Sequence, residues 1–150
     1  MATVKAVGTT DEAQIRELIE DWTNAIRAKN VNEVLSHIAA DILLFDLAPP
    51  LLYSGADAYR KGLQEWFATF QGPVGYEVRD LSITTGDRVA FSHSLNRISG
   101  KRTNGEDTNV WVRGTVCYRK INGTWKVAHE HASVPFYMDG SLRAAVDLKP

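Results

Sequence analysis

The stretch Thr108 to Val134 constrains the fold more than any other. Two long runs, NVWVRGTVCYRK and TWKVAHEHASV, meet at Asn122-Gly123. An Asn-Gly pair supplies two residues that tolerate positive φ, which a two-residue turn between antiparallel strands needs. A lone hairpin is only marginally stable in water, so strands of this length require a larger sheet around them. The preceding segments supply it: Tyr76 to Thr84 alternates, Gly86-Asp87 turns, and Arg88 to Ser99 reads as a long strand before a polar loop at Asn104-Gly105.

The first half of the chain has a different period. Ile15, Leu18, Ile19, Trp22 and Ile26 fall at helical spacing, and Thr10 or Asp11 can cap that helix. A second, short helix is expected over 32–38, with Val34, Leu35 and Ile38 inward. A third is expected over 56–70, with Tyr59, Leu63, Trp66, Phe67 and Phe70 inward. Between them ILLFDL, residues 42–47, reads as a strand buried on both faces, and Leu51 to Ser54 as a short edge strand. Helices followed by hairpin-linked strands make an α+β fold: a cone-like, curved antiparallel sheet with about three helices packed on its concave side. Such a cone has an open mouth, a natural ligand cavity.

With 150 residues the chain is expected to form one domain over 1–150, with flexible ends at about 1–9 and 139–150. The net charge of -1 gives no basic face for nucleic acid. No segment approaches the roughly 20 apolar residues that span a bilayer, so no membrane partner is expected. One cysteine allows no internal disulfide, and the opening MATVKAVGTTDE lacks a signal-peptide apolar run, so a cytoplasmic location is expected.

Several side chains have both a chemical and a structural reading. Asp46 stands in an apolar strand, where a carboxylate is costly unless it is paired or useful; it can serve as a proton acceptor or cap the following loop. Arg113 lies mid-strand and either holds a ligand anion or pairs with Asp46 or Glu130. Alternation puts Trp111, Arg113, Thr115 and Cys117 on one face and Val110, Val112, Val116 and Tyr118 on the other. The first set is expected to include cavity residues, and the valine face to suit a subunit contact. His129 and His131 share a face with Trp125 and Val127 by the same rule. His131 is the expected second acid/base or orienting group. The His-x-His pair could bind metal only with a third ligand such as His93 or Asp46, and no metal is expected. His93 and Asn96, three apart, fall on opposite faces of a regular strand, and a bulge would bring both inward. Cys117 has no basic neighbour to activate it and reads as packing. Trp22, Tyr53, Phe67 and Trp111 are either core or the wall of a pocket for a flat, apolar ligand.

Three stretches carry a resemblance to a known family: W-x3-I-x3-N-x3-V leading to D-I-L-L-F-D at 41–46, Y-S-G-A-D-A-Y-R-K at 53–61, and R-G-T-V-C-Y-R-K-I-N-G-T-W-K-V-A-H-E-H-A-S-V-P-F at 113–136. Together they resemble the nuclear transport factor 2-like superfamily, in particular its SnoaL-like and ketosteroid isomerase-like members. The resemblance covers about residues 11–137. It implies an Asp general base at the position of Asp46. Where ketosteroid isomerase has a Tyr donor on the first helix, this chain has Trp22. Its second donor, a protonated Asp, has no counterpart near Val116. The resemblance also implies a homodimer and no cofactor.

The expected function is a small-molecule pocket: an isomerase, cyclase or hydratase with Asp46 and His131 as catalytic groups. Trp22, Tyr53, Phe67, His93, Trp111, Arg113 and His129 would bind a small apolar or aromatic ligand bearing a carboxylate or carbonyl. The second reading is a non-catalytic ligand-binding or association domain of the same fold. His129 to Ser133 resembles the H-x-H-x-S ending of kinase association domains.

Overall fold

A computed structural model describes residues 9–150. The lead-in expected to be flexible therefore lies almost wholly outside the described residues. Three helices precede and interrupt a six-stranded sheet: α1 Asp11–Arg27, α2 Val31–Ser36, β1 Ile38–Phe45, β2 Tyr53–Ser54, α3 Ala56–Ala68, β3 Phe70–Thr85, β4 Val89–Arg102, β5 Asp107–Ile121 and β6 Thr124–Ser133.

Local chemistry sets the helix ends. Thr10 accepts from the Ala13 backbone N–H at 3.1 Å, Asp11 and Glu12 occupy the first turn of α1, and Arg27 its last. Both charge placements complement the helix dipole. Asn30 caps α2 in the same way through the Glu33 N–H at 3.1 Å. α3 follows Gly55, whose φ of 89° suits a residue without Cβ. The inward stripes join in one core that includes Ile15, Ile26, Val34, Ile42, Tyr59 and Phe67. Each large side chain removed from water there contributes roughly 1.5–3 kcal/mol.

The strands lie in the order β2-β1-β6-β5-β4-β3. Neighbours are antiparallel except β1 and β6, which run parallel. Asn122 and Gly123 take φ values of 50° and 79°, as the β5–β6 turn requires. β3 begins at Phe70, earlier than alternation suggests, and shifts register between Arg79 and Ser82 around Asp80, whose φ is 54°. That shift lets Val78 and Leu81, three apart, both reach the concave side. The chain after β6 turns back on itself. Ala145 donates its N–H to Pro135 at 2.7 Å and is buried, so part of the 139–150 segment is anchored by hydrogen bonds. Among the described residues no helix is long and apolar enough to cross a membrane.

One assignment of faces is reversed. The set Val110, Val112, Val116 and Tyr118 is grouped as alternation requires, but Val112 and Tyr118 are buried in the core under the helices. The opposite set, with Arg113, Thr115 and Cys117, lies on the outer face. Grouping follows from the pleat, but which group faces inward is decided by which helices cover it.

Candidate active site

Helices and sheet enclose a cavity of about 590 Å³. Glu130 is one of the polar groups that line it. The carboxyl Oε1 accepts a hydrogen bond from the Tyr59 hydroxyl at 3.0 Å. Burial pushes the Glu130 pKa up to about 7, the Tyr59 hydrogen bond offsets part of the rise, and the negative charge of Asp46 adds to it. Tyr59 is raised well above the ordinary phenol value, first by burial and then by Glu130, so it acts as a neutral hydroxyl. Tyr76 is raised chiefly by burial too. Its ring meets the Trp22 ring edge-on at 5.3 Å.

Trp22 turns its indole N–H into this polar end. The N–H is buried and has no hydrogen-bond partner among the described residues. It lies toward the Tyr59 oxygen, near enough to favour that phenol's charged form slightly. A buried donor without an acceptor costs about 1–3 kcal/mol, which a ligand oxygen would relieve. A second polar group lies farther along the sheet. Ser92 and Tyr118 share a buried hydrogen bond of 2.8 Å, and Ser94 donates to Asn96 Oδ1 at 2.8 Å. The rest of the wall is largely apolar, with Leu63, Trp66, Ile98 and Val112 among its residues.

Glu130 faces inward because of a single extra residue. β6 pairs Val127 with Tyr118 and His129 with Cys117, which leaves Ala128 unpaired. That bulge shifts the alternation by one. Trp125 and Val127 point into the core before it; Glu130 points into the cavity after it. A regular strand would have put His129 and His131 inward and Glu130 outward, which is the expectation the sequence supports.

The expected site residues are therefore divided. Asp46, Trp22, Tyr53 and His131 line the cavity. Asp46 lies just past the end of β1 rather than within it. It is exposed at the cavity rim, and its Oδ1 accepts from the Leu47 N–H at 2.7 Å. His131 is also exposed, at the edge shared with a neighbouring groove that includes Asp46, Ser133 and Val146. Phe67 packs in the core behind the wall. His93, Trp111 and Arg113 are not part of the lining. His93 pairs with Thr115 and Arg113 with Leu95 on the outer face, and Arg113 Nε donates to Ser133 Oγ at 3.1 Å. β4 keeps regular alternation between His93 and Asn96, so only Asn96 faces inward. His129 is held on the other side of β6 by the Leu43 carbonyl at 2.7 Å, with its ring edge-on to Phe45. The expected convergence of Asp46, Arg113 and both histidines does not form.

Sequence reasoning gave Glu130 no more specific role than a partner for Arg113. The signal available was a carboxylate in a strand whose inward face begins with Trp125 and Val127; the bulge that turns it inward leaves no mark in the pattern. Outside the cavity, Asp21, Glu33 and His37 bring one ligand atom each within 4.8 Å of one another, at the surface where α1 meets α2.

Comparison with known proteins agrees with this architecture. The SnoaL-like domain family matches residues 15–137. An NTF2-like protein of unknown function from Pseudomonas putida KT2440 is similar at 34% identity, covering 95% of this chain and 100% of that one, with a TM-score of 0.84. A ketosteroid isomerase-like protein from Erwinia carotovora atroseptica is 20% identical over 83% of this chain and 97% of its own, with a TM-score of 0.71. A superfamily protein from Salmonella enterica serovar Typhimurium LT2 is 15% identical, covering 85% and 92%, with a TM-score of 0.74. No curated protein matches by sequence. With a family match over most of its length and a relative above 30% identity across it, the chain belongs to the SnoaL-like family of the nuclear transport factor 2-like superfamily.

Proposed function

We propose that the cavity is the active site of an enzyme that moves a proton beside the carbonyl group of a small, apolar, planar substrate. The observation that carries this reading is Glu130: a carboxyl group turned into an apolar cavity, fixed by Tyr59, with a pKa of about 7. Two carboxyl groups in unlike surroundings divide acid and base roles. Asp46, exposed at the rim, takes the proton from carbon. Glu130 in its protonated form, with the Trp22 N–H, donates to the carbonyl oxygen as negative charge develops there. Returning the proton to another carbon completes an isomerisation. If a β-hydroxyl leaves with a proton instead, the same groups perform a dehydration. Tyr53 and the aliphatic wall supply the apolar contact.

The test is deuterium exchange at the α-carbons of 2-tetralone, followed by NMR. The wild type should accelerate exchange over buffer. Asp46→Asn and Glu130→Gln should each lower the enzymatic rate by roughly 100-fold or more, in line with the loss of a general acid or base. Saturable binding of 2-tetralone that survives Asp46→Asn, with no exchange by the wild type, would favour a ligand-binding domain instead.

A further inference from the structure

A second polar group in the cavity has no part in the proton transfer. Asn96 is 7% exposed, and its side chain belongs to the cavity wall. One end of the amide is fixed, because Ser94 Oγ donates to Oδ1 at 2.8 Å. Among the described residues no acceptor pairs with the other end, Nδ2. Nδ2 keeps some open surface on the cavity side, where an incoming oxygen can accept from it.

The backbone beneath makes room for this amide. Nδ2 lies over Gly114, where an added Cβ would come within 2.6 Å of it. Gly114 has no positive-φ requirement. The close approach of Asn96 therefore accounts for a glycine in the middle of β5. Ser94, which holds the amide, pairs directly opposite Gly114. Three residues thus cooperate to present one N–H2 group to the cavity.

Register gives its distance from the reactive end. Gly114 pairs with Ala132 on β6, and Glu130 lies two residues before Ala132. One step across the sheet and two along it put the Gly114 backbone, over which the Asn96 amide lies, about 8 Å from the backbone of Glu130. Oxygens carried on the 2- and 6-positions of a fused two-ring skeleton are separated by a similar distance.

We propose that Asn96 is a specificity-determining residue that donates its side-chain N–H to a second oxygen of the substrate, so that the preferred class is a planar bicyclic or longer skeleton bearing two oxygens at opposite ends. This rests on the proton-transfer reading for the first oxygen. It is tested by binding, so the two can fail separately.

The experiment compares 2-tetralone with 6-hydroxy-2-tetralone by calorimetric titration. The wild type should bind the hydroxylated probe roughly three- to tenfold more tightly, the effect of one additional neutral hydrogen bond. In Asn96→Leu and in Gly114→Ala, where the new methyl group displaces the amide, that ratio should fall to about one. In proton–nitrogen spectra, the Asn96 side-chain N–H2 signals, assigned by their absence in Asn96→Leu, should shift with the hydroxylated probe and not with its parent. A wild type that binds 2-tetralone with no preference overturns the Asn96 assignment and leaves the proton-transfer reading intact. A preference that persists in both variants also overturns it. A clear preference without any α-carbon exchange upholds Asn96 while removing the proton-transfer reading. Failure of both probes to bind overturns both.

Discussion

Glu130 links the chemistry of the cavity to the stability of the protein. Its carboxyl pKa is raised from 4.5 to about 7, so the folded state holds a proton that the unfolded chain has already released between those values. The native state then binds more protons, and stability falls as pH rises from about 4.5 through 7. The full difference is roughly 3 kcal/mol, with most of it gone by pH 8. Glu130→Gln keeps an acceptor for Tyr59 and removes the titration. In urea unfolding the variant should therefore gain on the wild type as pH is raised from 5 to 8. A constant difference across that range would show that Glu130 does not carry the raised pKa. The same titration predicts that catalysis depending on protonated Glu130 declines above about pH 7. At this scale the sequence was informative about residue types and less so about direction. Asp46 was identifiable as an unusual carboxylate, and it does reach the cavity. Glu130 was obscured because alternation counted from Trp125 and Val127 points to His131.

Periodicity made the elements legible. The stripe from Ile15 to Ile26 and the stripe from Tyr59 to Phe67 both became inward helix faces, and Asn122-Gly123 became the turn between β5 and β6. The irregularities were not legible. Asp80 and Ala128 each insert an offset that depends on how neighbouring strands curve, and curvature is a property of the whole sheet. Pairing between β4 and β5 is regular throughout, and it places Ser92 and Tyr118 so that their hydroxyls meet at 2.8 Å inside the sheet. Ser92→Ala would leave the Tyr118 hydroxyl without that partner, at a cost of about 1–3 kcal/mol. The double variant with Tyr118→Phe should recover part of the loss. A double-mutant cycle in urea measures the coupling; purely additive losses would show that the hydroxyls do not support each other.

For the whole molecule, the succession of helices and strands was enough to predict an α+β cone, because the helical stripes and the hairpins can cover each other in few ways. The parallel contact of β1 with β6 was not foreseen, since antiparallel hairpins dominate the sequence pattern. The carboxy-terminal return past Phe136 buries only Ala145 fully, while Met138 and Leu142 remain exposed. Removing residues 139–150 should therefore lower stability by only about 1–2 kcal/mol, the value of a few hydrogen bonds and one small side chain. A single cooperative urea transition with a slightly lower midpoint is the expected result. Loss of the transition would mean that the return is an integral part of the core.

The β1–β6 contact also governs how the protein can be made. His129 reaches back 86 residues to the Leu43 carbonyl. During synthesis, at roughly 5–20 residues per second, β1 emerges several seconds before the strand that completes its edge. Until then the cavity has no Glu130, and the apolar side chains of the first helices and β1 lack much of their cover. The site is thus assembled only late in synthesis. Ribosome-bound fragments ending before Thr124 should be clients for chaperones that bind exposed apolar segments.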